Sequence, residues 1–349
     1  RGVRVRLLVD DIDLGGRDQG ALFLDAHPNI EVRVFNPFSR AYPRMIQFVT
    51  RFGDVTRRMH NKSLNADNQV TIVGGRNIGN EYFDASGEAN FTDLDAMVIG
   101  PAARRINGSF DEYWNSSRAY PVKSFADQLP DPVQARGAWD SIIADAESMA
   151  NDPYIQSLKD AELTKAFREQ RIPFHWTDVE AVFDDPQKFD SDNPDYLLAP
   201  ALAPLFHEVE SRLTIISPYF VPGKQGTQFL IDLAQRGVTV DVITNSLAST
   251  DVGVVHAGYI RYRKKLMKGG VKIHEVQAWP EVANPQTPSG SGSGSGSSSA
   301  SLHSKSFVFD RDRVFIGSLK EIPVREHRQA GGTRPGIAPG NLRRLEILP

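Results

Sequence analysis

Two histidines and two lysines recur in this chain at one spacing. His60, Lys62 and Asp67 read H-x-K-x-x-x-x-D, and His303, Lys305 and Asp310 repeat the pattern 243 residues later. One match would be weak, because these residue types are common. Two matches, each followed by an apolar strand and a small-residue pair (Gly74-Gly75, then Gly317-Ser318), are a specific signal. An imidazole can attack phosphorus and form a covalent intermediate. A second imidazole can protonate the leaving oxygen and later deprotonate an incoming alcohol. A lysine adds point charge where phosphate oxygens must be stabilised in the transition state. Two His and two Lys in one pocket suffice for phosphodiester exchange with no metal and no cofactor. A nucleophilic His also needs its other nitrogen oriented, usually by a carboxylate. Asp93, in "FTDLDAMVIGP", is the candidate partner for His60.

Strand geometry sorts the motif residues. Side chains two apart share a face, so His60 and Lys62 point one way, as do His303 and Lys305. Asp310 lies seven residues from His303, on the opposite face of an unbroken strand. It opens the polar turn "DRD", and Asp67 precedes Asn68 in a hairpin turn. Asp in such turns bonds local backbone, so both motif aspartates are expected to be structural.

The elements that must carry these residues also repeat. "RGVRVRLLVDD" alternates Val3, Val5, Leu7 and Val9 on one face and reads as a strand. A helix is predicted over Asp18–Ala26 and a second strand from Ile30. The segment from Phe38 to Arg58 crosses to the first motif, its aromatics Phe38, Tyr42, Phe48 and Phe52 packing as core or lid. From Arg236, "RGVTVDVITN" restarts the plan, followed by a helix over Val254–Lys268, the strand "VKIHEV", a connection and the second motif. Arg1 and Arg236 lie 235 residues apart, close to the 243 between the histidines. Near-equal offsets indicate internal duplication. The unit implies an α/β layered half, and two halves about a pseudo-twofold would bring both motifs to one site. In the second half a strand ("LTIISPYFVP") and a helix ("GTQFLIDLAQ") precede R-G-V, whereas nothing matches them ahead of Arg1. The expected organisation is a first half over 1–115 without its opening strand and helix, and a mainly helical insertion over 116–200. A second half over 201–320 contains a flexible Ser/Gly segment at 289–299, and an atypical tail covers 321–349. Within the insertion, "FHWTDVEAVFDD" reads as a strand with His175 and Trp176 half-buried.

The doubled motif resembles the phospholipase D superfamily, whose members carry two such patterns. "TIVGGRNIGNEYF", "ISPYFVPG" and "TNSLASTDVGVVHAGYIRYRKKLMKGGVKIHEV" resemble, more narrowly, the C-type bacterial cardiolipin synthases, from the chain's start to about Ser318. The resemblance implies duplicated α-β-α halves and a phosphatidyltransferase that forms cardiolipin through a phosphohistidine. It implies catalytic roles for His60, Lys62, His303, Lys305 and Asp93, with the first-half His as nucleophile. It further implies substrate contacts from Asn77, Gly75 and Ser318. Tyr219 joins them as a pocket wall, because ligands gather beyond the strand ends of open α/β sheets. The implied substrate is phosphatidylglycerol, with phosphatidylethanolamine a second candidate. The implied location is the bacterial inner membrane, peripheral, on its cytoplasmic face. After "VFIGS" the likeness fails. The family's Asn is replaced by Lys320, and only Glu321 or Glu326 could replace the expected second carboxylate.

Composition agrees with an enzyme of this kind. The 349 residues carry a formal charge of −3 and no Cys. That excludes disulfide and thiolate chemistry and disfavours a nucleic-acid binder, which usually shows a basic excess. No apolar run reaches the ~18 residues of a spanning helix, and no signal peptide opens the chain. Two other readings stand beside transfer. The same site could hydrolyse lipid or nucleic-acid phosphodiesters, or the chain could bind lipid without turnover.

Overall fold

The computed structural model describes residues 2–318 except 15–16, 42–45, 47–57, 84–89, 127, 192 and 278–299. Tyr42, Phe48, Phe52, the Ser/Gly segment, Lys320, Glu321, Glu326 and the tail lie outside the described residues. The fold is mixed α/β, as expected. The chain forms two compact units, Arg1–His60 with Gly108–Trp176, and Asn61–Asn107 with Thr177–Pro349.

The opening elements follow the apolar pattern. Strand β1 (Val5–Asp10), helix α1 (Asp18–Asp25) and strand β2 (Ile30–Phe35) appear in the predicted order. Next come the hairpin β3 (Ser63–Ala66) and β4 (Val70–Gly74), then β5 (Asn90–Thr92) and β6 (Asp95–Ile99). Helix α2 (Pro101–Trp114) leads to the short strand β7 (Ala119–Pro121). In the first unit β2 is central, parallel to β1 and antiparallel to β7. Val32 and Val34 pack there on Ala21, Leu22 and Val122. The insertion supplies α3 (Pro132–Ser148), α4 (Pro153–Asp160) and α5 (Glu162–Arg168). The first two open on an Asp whose carboxylate accepts backbone N–H bonds ahead of a proline, a sequence-legible start. The strand expected at 174–185 is absent. Trp176 is 81% exposed there rather than half-buried, because no neighbouring strand offers the segment a ladder.

In the second unit, α6 (Leu198–His207) precedes β8 (Arg212–Ile216). Helix α7 (Gly223–Gln235), strand β9 (Thr239–Asn245), helix α8 (Gly253–Lys268) and strand β10 (Lys272–Val276) follow. The short β11 (Ala300–Leu302) leads into the hairpin β12 (Lys305–Phe309) and β13 (Arg313–Gly317). One sheet runs β10-β9-β8-β12-β13, with β8 parallel to β9 and antiparallel to β12. Its strands read as near-continuous apolar runs because both faces are covered. Leu213, Ile215, Val240, Val242, Phe307 and Phe309 are all buried. A second sheet runs β3-β4-β6, and β11 pairs only with β5.

Both motif hairpins turn through the same conformation. Asp67 and Asn68 have φ of 51° and 56°, and Asp310 and Arg311 have 52° and 67°. Two successive left-handed residues match the strand twist, as in type I′ turns. Each turn closes on an equivalent backbone bond, from Gln69 N to Ala66 O and from Asp312 N to Phe309 O.

Candidate active site

His303 does not sit within an unbroken strand. It occupies a two-residue break between β11 and β12, where the chain leaves one sheet for another. A three-rung parallel ladder sets its place. Ala300, Ser301 and Leu302 pair with Asn90, Phe91 and Thr92, and the Thr92 carbonyl accepts from the N–H of His303 at 2.8 Å and of Ser304 at 3.2 Å. The next residue on the facing strand is Asp93, so the register brings its carboxylate to the imidazole. Asp93 Oδ2 lies 2.7 Å from His303 Nδ1, both side chains being buried.

This pairing corrects the expected one. The carboxylate assigned to His60 engages the second motif's histidine instead, because a parallel pairing between β5 and β11, invisible in either half alone, joins the two stretches. It also supplies the carboxylate that was sought for His303 at Glu321 or Glu326.

The surroundings hold Asp93 tightly. Its Oδ1 accepts from Leu94 N at 2.9 Å, and Arg76 bonds its carbonyl at 3.3 Å while its Nε donates to Asp95 at 2.6 Å. A Cβ on Gly75 would lie 2.8 Å from Asp93 Oδ2. Gly75 is therefore small to make room for that carboxylate. Lys305 is buried, with Nζ 2.7 Å from the His303 carbonyl and 3.2 Å from Nε2. The motif's His–Lys spacing thus returns the ammonium to the imidazole, although His303 lies just outside the strand that Lys305 opens.

Aromatic rings wall the imidazole. Tyr82, Phe91 and Tyr219 lie 5.0, 5.4 and 6.1 Å from the His303 ring, and Lys305 Nζ is 5.6 Å from the Tyr219 ring centre. Tyr219 donates its hydroxyl to Asp251 Oδ2 at 2.7 Å. Burial and that carboxylate push the phenol well above its ordinary range, so it remains a donor at all physiological pH. Asn77 Nδ2 donates to the Tyr82 hydroxyl at 2.8 Å, which ties Asn77 to one ring of the aromatic wall. Burial raises the Tyr82 phenol too. Asp251, Tyr82 and Phe91 were not legible as site residues, since no spacing links them to a motif.

Asp310 turns to the backbone. Its carboxylate accepts from the N–H groups of Glu210 (3.1 Å), Ser211 (2.7 Å) and Arg212 (2.9 Å), and from Ser211 Oγ at 2.8 Å. Burial pushes this carboxyl up, but the three amides outweigh it and hold it below the ordinary range. Asp67 is exposed at its own turn. Ser318 closes β13, half-buried. His60 ends the first segment of the first compact unit and Lys62 is the second residue of the other, each half-buried and outside a strand. His256 is 8% exposed, with its ring 5.4 Å from that of Tyr259.

A buried carboxylate–imidazole–ammonium group in an aromatic enclosure has the makings of a phosphate-directed nucleophile. A family model described as "Cardiolipin synthase, PLD-like domain" matches residues 202–320. Cardiolipin synthase C of Escherichia coli (strain K12) is 39% identical over 328 residues, covering 93% of this chain and 67% of that protein. An uncharacterized protein of Helicobacter pylori (strain J99) is 32% identical over 330 residues, 93% of this chain and 63% of its own length. The chain thus spans about two thirds of the length of these relatives. Among solved structures, phosphatidylserine synthase of Haemophilus influenzae Rd KW20 aligns at TM-score 0.46 and 13% identity over 90% of this chain and 72% of that one, a likeness too slight to carry an argument. The chain belongs to the cardiolipin synthase family of phospholipase D-like proteins.

Proposed function

We propose that this chain is a phosphatidyltransferase that forms cardiolipin through a phosphohistidine. The observation that carries the reading is the buried Asp93–His303–Lys305 group. A carboxylate on Nδ1 keeps the ring proton there and leaves the lone pair on Nε2. Nε2 of His303 attacks the phosphorus of phosphatidylglycerol, and the bond from phosphorus to the headgroup oxygen breaks as the P–N bond forms. The departing glycerol takes its proton from a second imidazole, assigned to His60 by the repeat. The hydroxyl of another phosphatidylglycerol then returns a proton to that imidazole and attacks phosphorus. The P–N bond breaks, leaving cardiolipin and free His303. Lys305 and Lys62 hold the non-bridging oxygens.

Naming His303 as nucleophile reverses the order that family precedent implies. Its support is physical, because the orienting carboxylate is found at His303. Tyr219 and Tyr82 line the space next to the attacking nitrogen. The lipid substrates assign the chain to a peripheral place on the bacterial inner membrane, its cytoplasmic face by expectation. Among the described residues no helix is long and apolar enough to cross a membrane.

The test is incubation with labelled phosphatidylglycerol, with and without phosphatidylethanolamine, followed by lipid analysis and acid-quench trapping of labelled protein. Cardiolipin and released glycerol are expected, with adduct in His60→Ala and none in His303→Ala. Adduct in His303→Ala would return the nucleophile to His60. Phosphatidic acid alone would mean hydrolysis, and cleavage of DNA but not lipid would mean a nuclease. Lipid binding without alcohol release would mean a non-catalytic chain.

A further inference from the structure

Asp10 and Asn245 hold the same place in the repeat. Each ends the strand that begins at R-G-V, β1 in one case and β9 in the other, and they are 235 residues apart, as Arg1 and Arg236 are. Asn245 is buried, at 2% exposure. Its Oδ1 accepts from Leu302 N at 3.0 Å and from Ser249 Oγ at 3.4 Å. Its Nδ2 donates to Leu302 O at 2.9 Å and Ser301 Oγ at 3.2 Å. All four hydrogen-bonding positions of the amide are therefore used, two of them on the residue just before His303.

Asp10 does the corresponding thing in the first unit. Its Oδ2 accepts from Met59 N at 3.0 Å, and Met59 immediately precedes His60. Its Oδ1 accepts from Arg58 at 2.8 and 2.5 Å, and Arg58 Nη1 donates to Asn36 O at 3.0 Å. The two devices differ by chemistry. An amide both donates and accepts, so Asn245 alone takes the N–H and the carbonyl of Leu302. A carboxylate only accepts, so Asp10 takes only the N–H of Met59, and its other oxygen is held by the Arg58 guanidinium.

We propose that Asp10 and Asn245 are equivalent positioning residues, each fixing the backbone one residue ahead of a motif histidine and so aiming its ring. His303 sits outside regular strand pairing, so the grip on Leu302 and the Thr92 carbonyl together set where its imidazole points. A displacement of about 1 Å at a reacting group costs on the order of 100-fold in rate. The kinetic part of this inference rests on the proposed transfer; the positional part does not.

The test reads both properties on the intact chain. The ring Cε1–Hε1 cross-peaks of His60 and His303 are assigned by their loss in His60→Ala and His303→Ala, and followed with pH. Asn245→Ala and the isosteric Asn245→Asp should move the His303 peak and its titration midpoint while leaving that of His60. The Asp variant turns an oxygen toward the Leu302 carbonyl and keeps the test open should the Ala variant not fold. Asp10→Ala should do the reverse, with Asp10→Asn milder because it keeps an acceptor for Met59. Transfer should fall about 100-fold in kcat with KM within about twofold. As a control, Asn107→Ala removes a buried amide that bonds the Ala103 carbonyl in its own helix and should move neither peak. A folded Asn245→Asp protein with the wild-type His303 peak and midpoint would overturn the proposal for that half, whatever its activity. A folded Asp10→Ala protein with an unmoved His60 peak does so for the other. Absence of transfer by the wild-type chain would sink the proposed function and leave the peak measurements decisive here.

Discussion

In the second half of the repeat, β8 lies between β9 and β12 and joins β9, β10, β12 and β13 into one five-stranded sheet. In the first half the strands matching β9 and β10 are β1 and β2, and those matching β12 and β13 are β3 and β4. Among the described residues those pairs belong to separate three-stranded sheets. The turns and the motif spacing are nevertheless the same in both. Local chemistry is thus set by short-range sequence. The core follows the sheet: sixteen buried hydrophobic residues cluster around β8 and five around β2, counted among the described residues.

The largest effect is expected at the carboxylate beside His303. Asp93→Asn keeps the shape of the side chain but lets the wrong ring tautomer form, and transfer should fall by about 10³-fold or more. Measured turnover of labelled phosphatidylglycerol checks this, and near-normal turnover would break the link between Asp93 and His303. The next effect tests the cores. Val242 and Val34 are both fully buried. Val242→Ala should cost about 3 kcal/mol and Val34→Ala about 2, because a small core collapses around a cavity more readily. Hydrogen exchange of β9 against β2 amides separates the two, and equal losses would erase the contrast.

The motif aspartates come third. Asp310→Ala removes the acceptor of three amides, two of them exposed to water, and should cost about 1 kcal/mol, whereas exposed Asp67→Ala should cost well under ~1 kcal/mol, both read by denaturant unfolding. Asp310 also predicts a pH dependence. Its carboxyl is held below its ordinary 3.8 in the fold, so the unfolded chain binds more protons in that window. Its contribution is full above the ordinary carboxylate range and is lost as pH falls through the folded value. Asp310→Asn should flatten that acid limb, and an unchanged limb would show the amides do not govern it. The smallest effect lies in the turns. Arg311 and Asn68 both hold positive φ, but Asn tolerates that region better. Arg311→Gly should therefore stabilise by about 1 kcal/mol and Asn68→Gly by less, again by unfolding midpoint.

Much of this was legible in the residues. Alternation of apolar side chains located β1, β2, β9 and β10, and the insertion read as mainly helical. The spacing of His303 and Lys305 foretold that they act together, and the polar turn foretold that Asp310 serves the backbone. The partner of Asp93 was not legible, because a ladder of three residue pairs leaves no periodic trace and joins stretches 210 residues apart. The strand expected at 174–185 failed for the converse reason: its pattern suits a strand, but the fold offers no neighbour. Asp10 and Asn245 were within reach, since aligning the two R-G-V stretches places them opposite each other. What hid them is that Asp and Asn at strand ends are common and bond nearby backbone in many ways.

The separation of 210 residues between Asp93 and His303 also bears on when this chemistry can begin. While the ribosome is still adding residues ahead of position 303, the growing chain carries the carboxylate but not the ring it orients. The Asp93–His303 contact therefore cannot form until nearly the whole described fold has been made, and a product of premature termination is born without it.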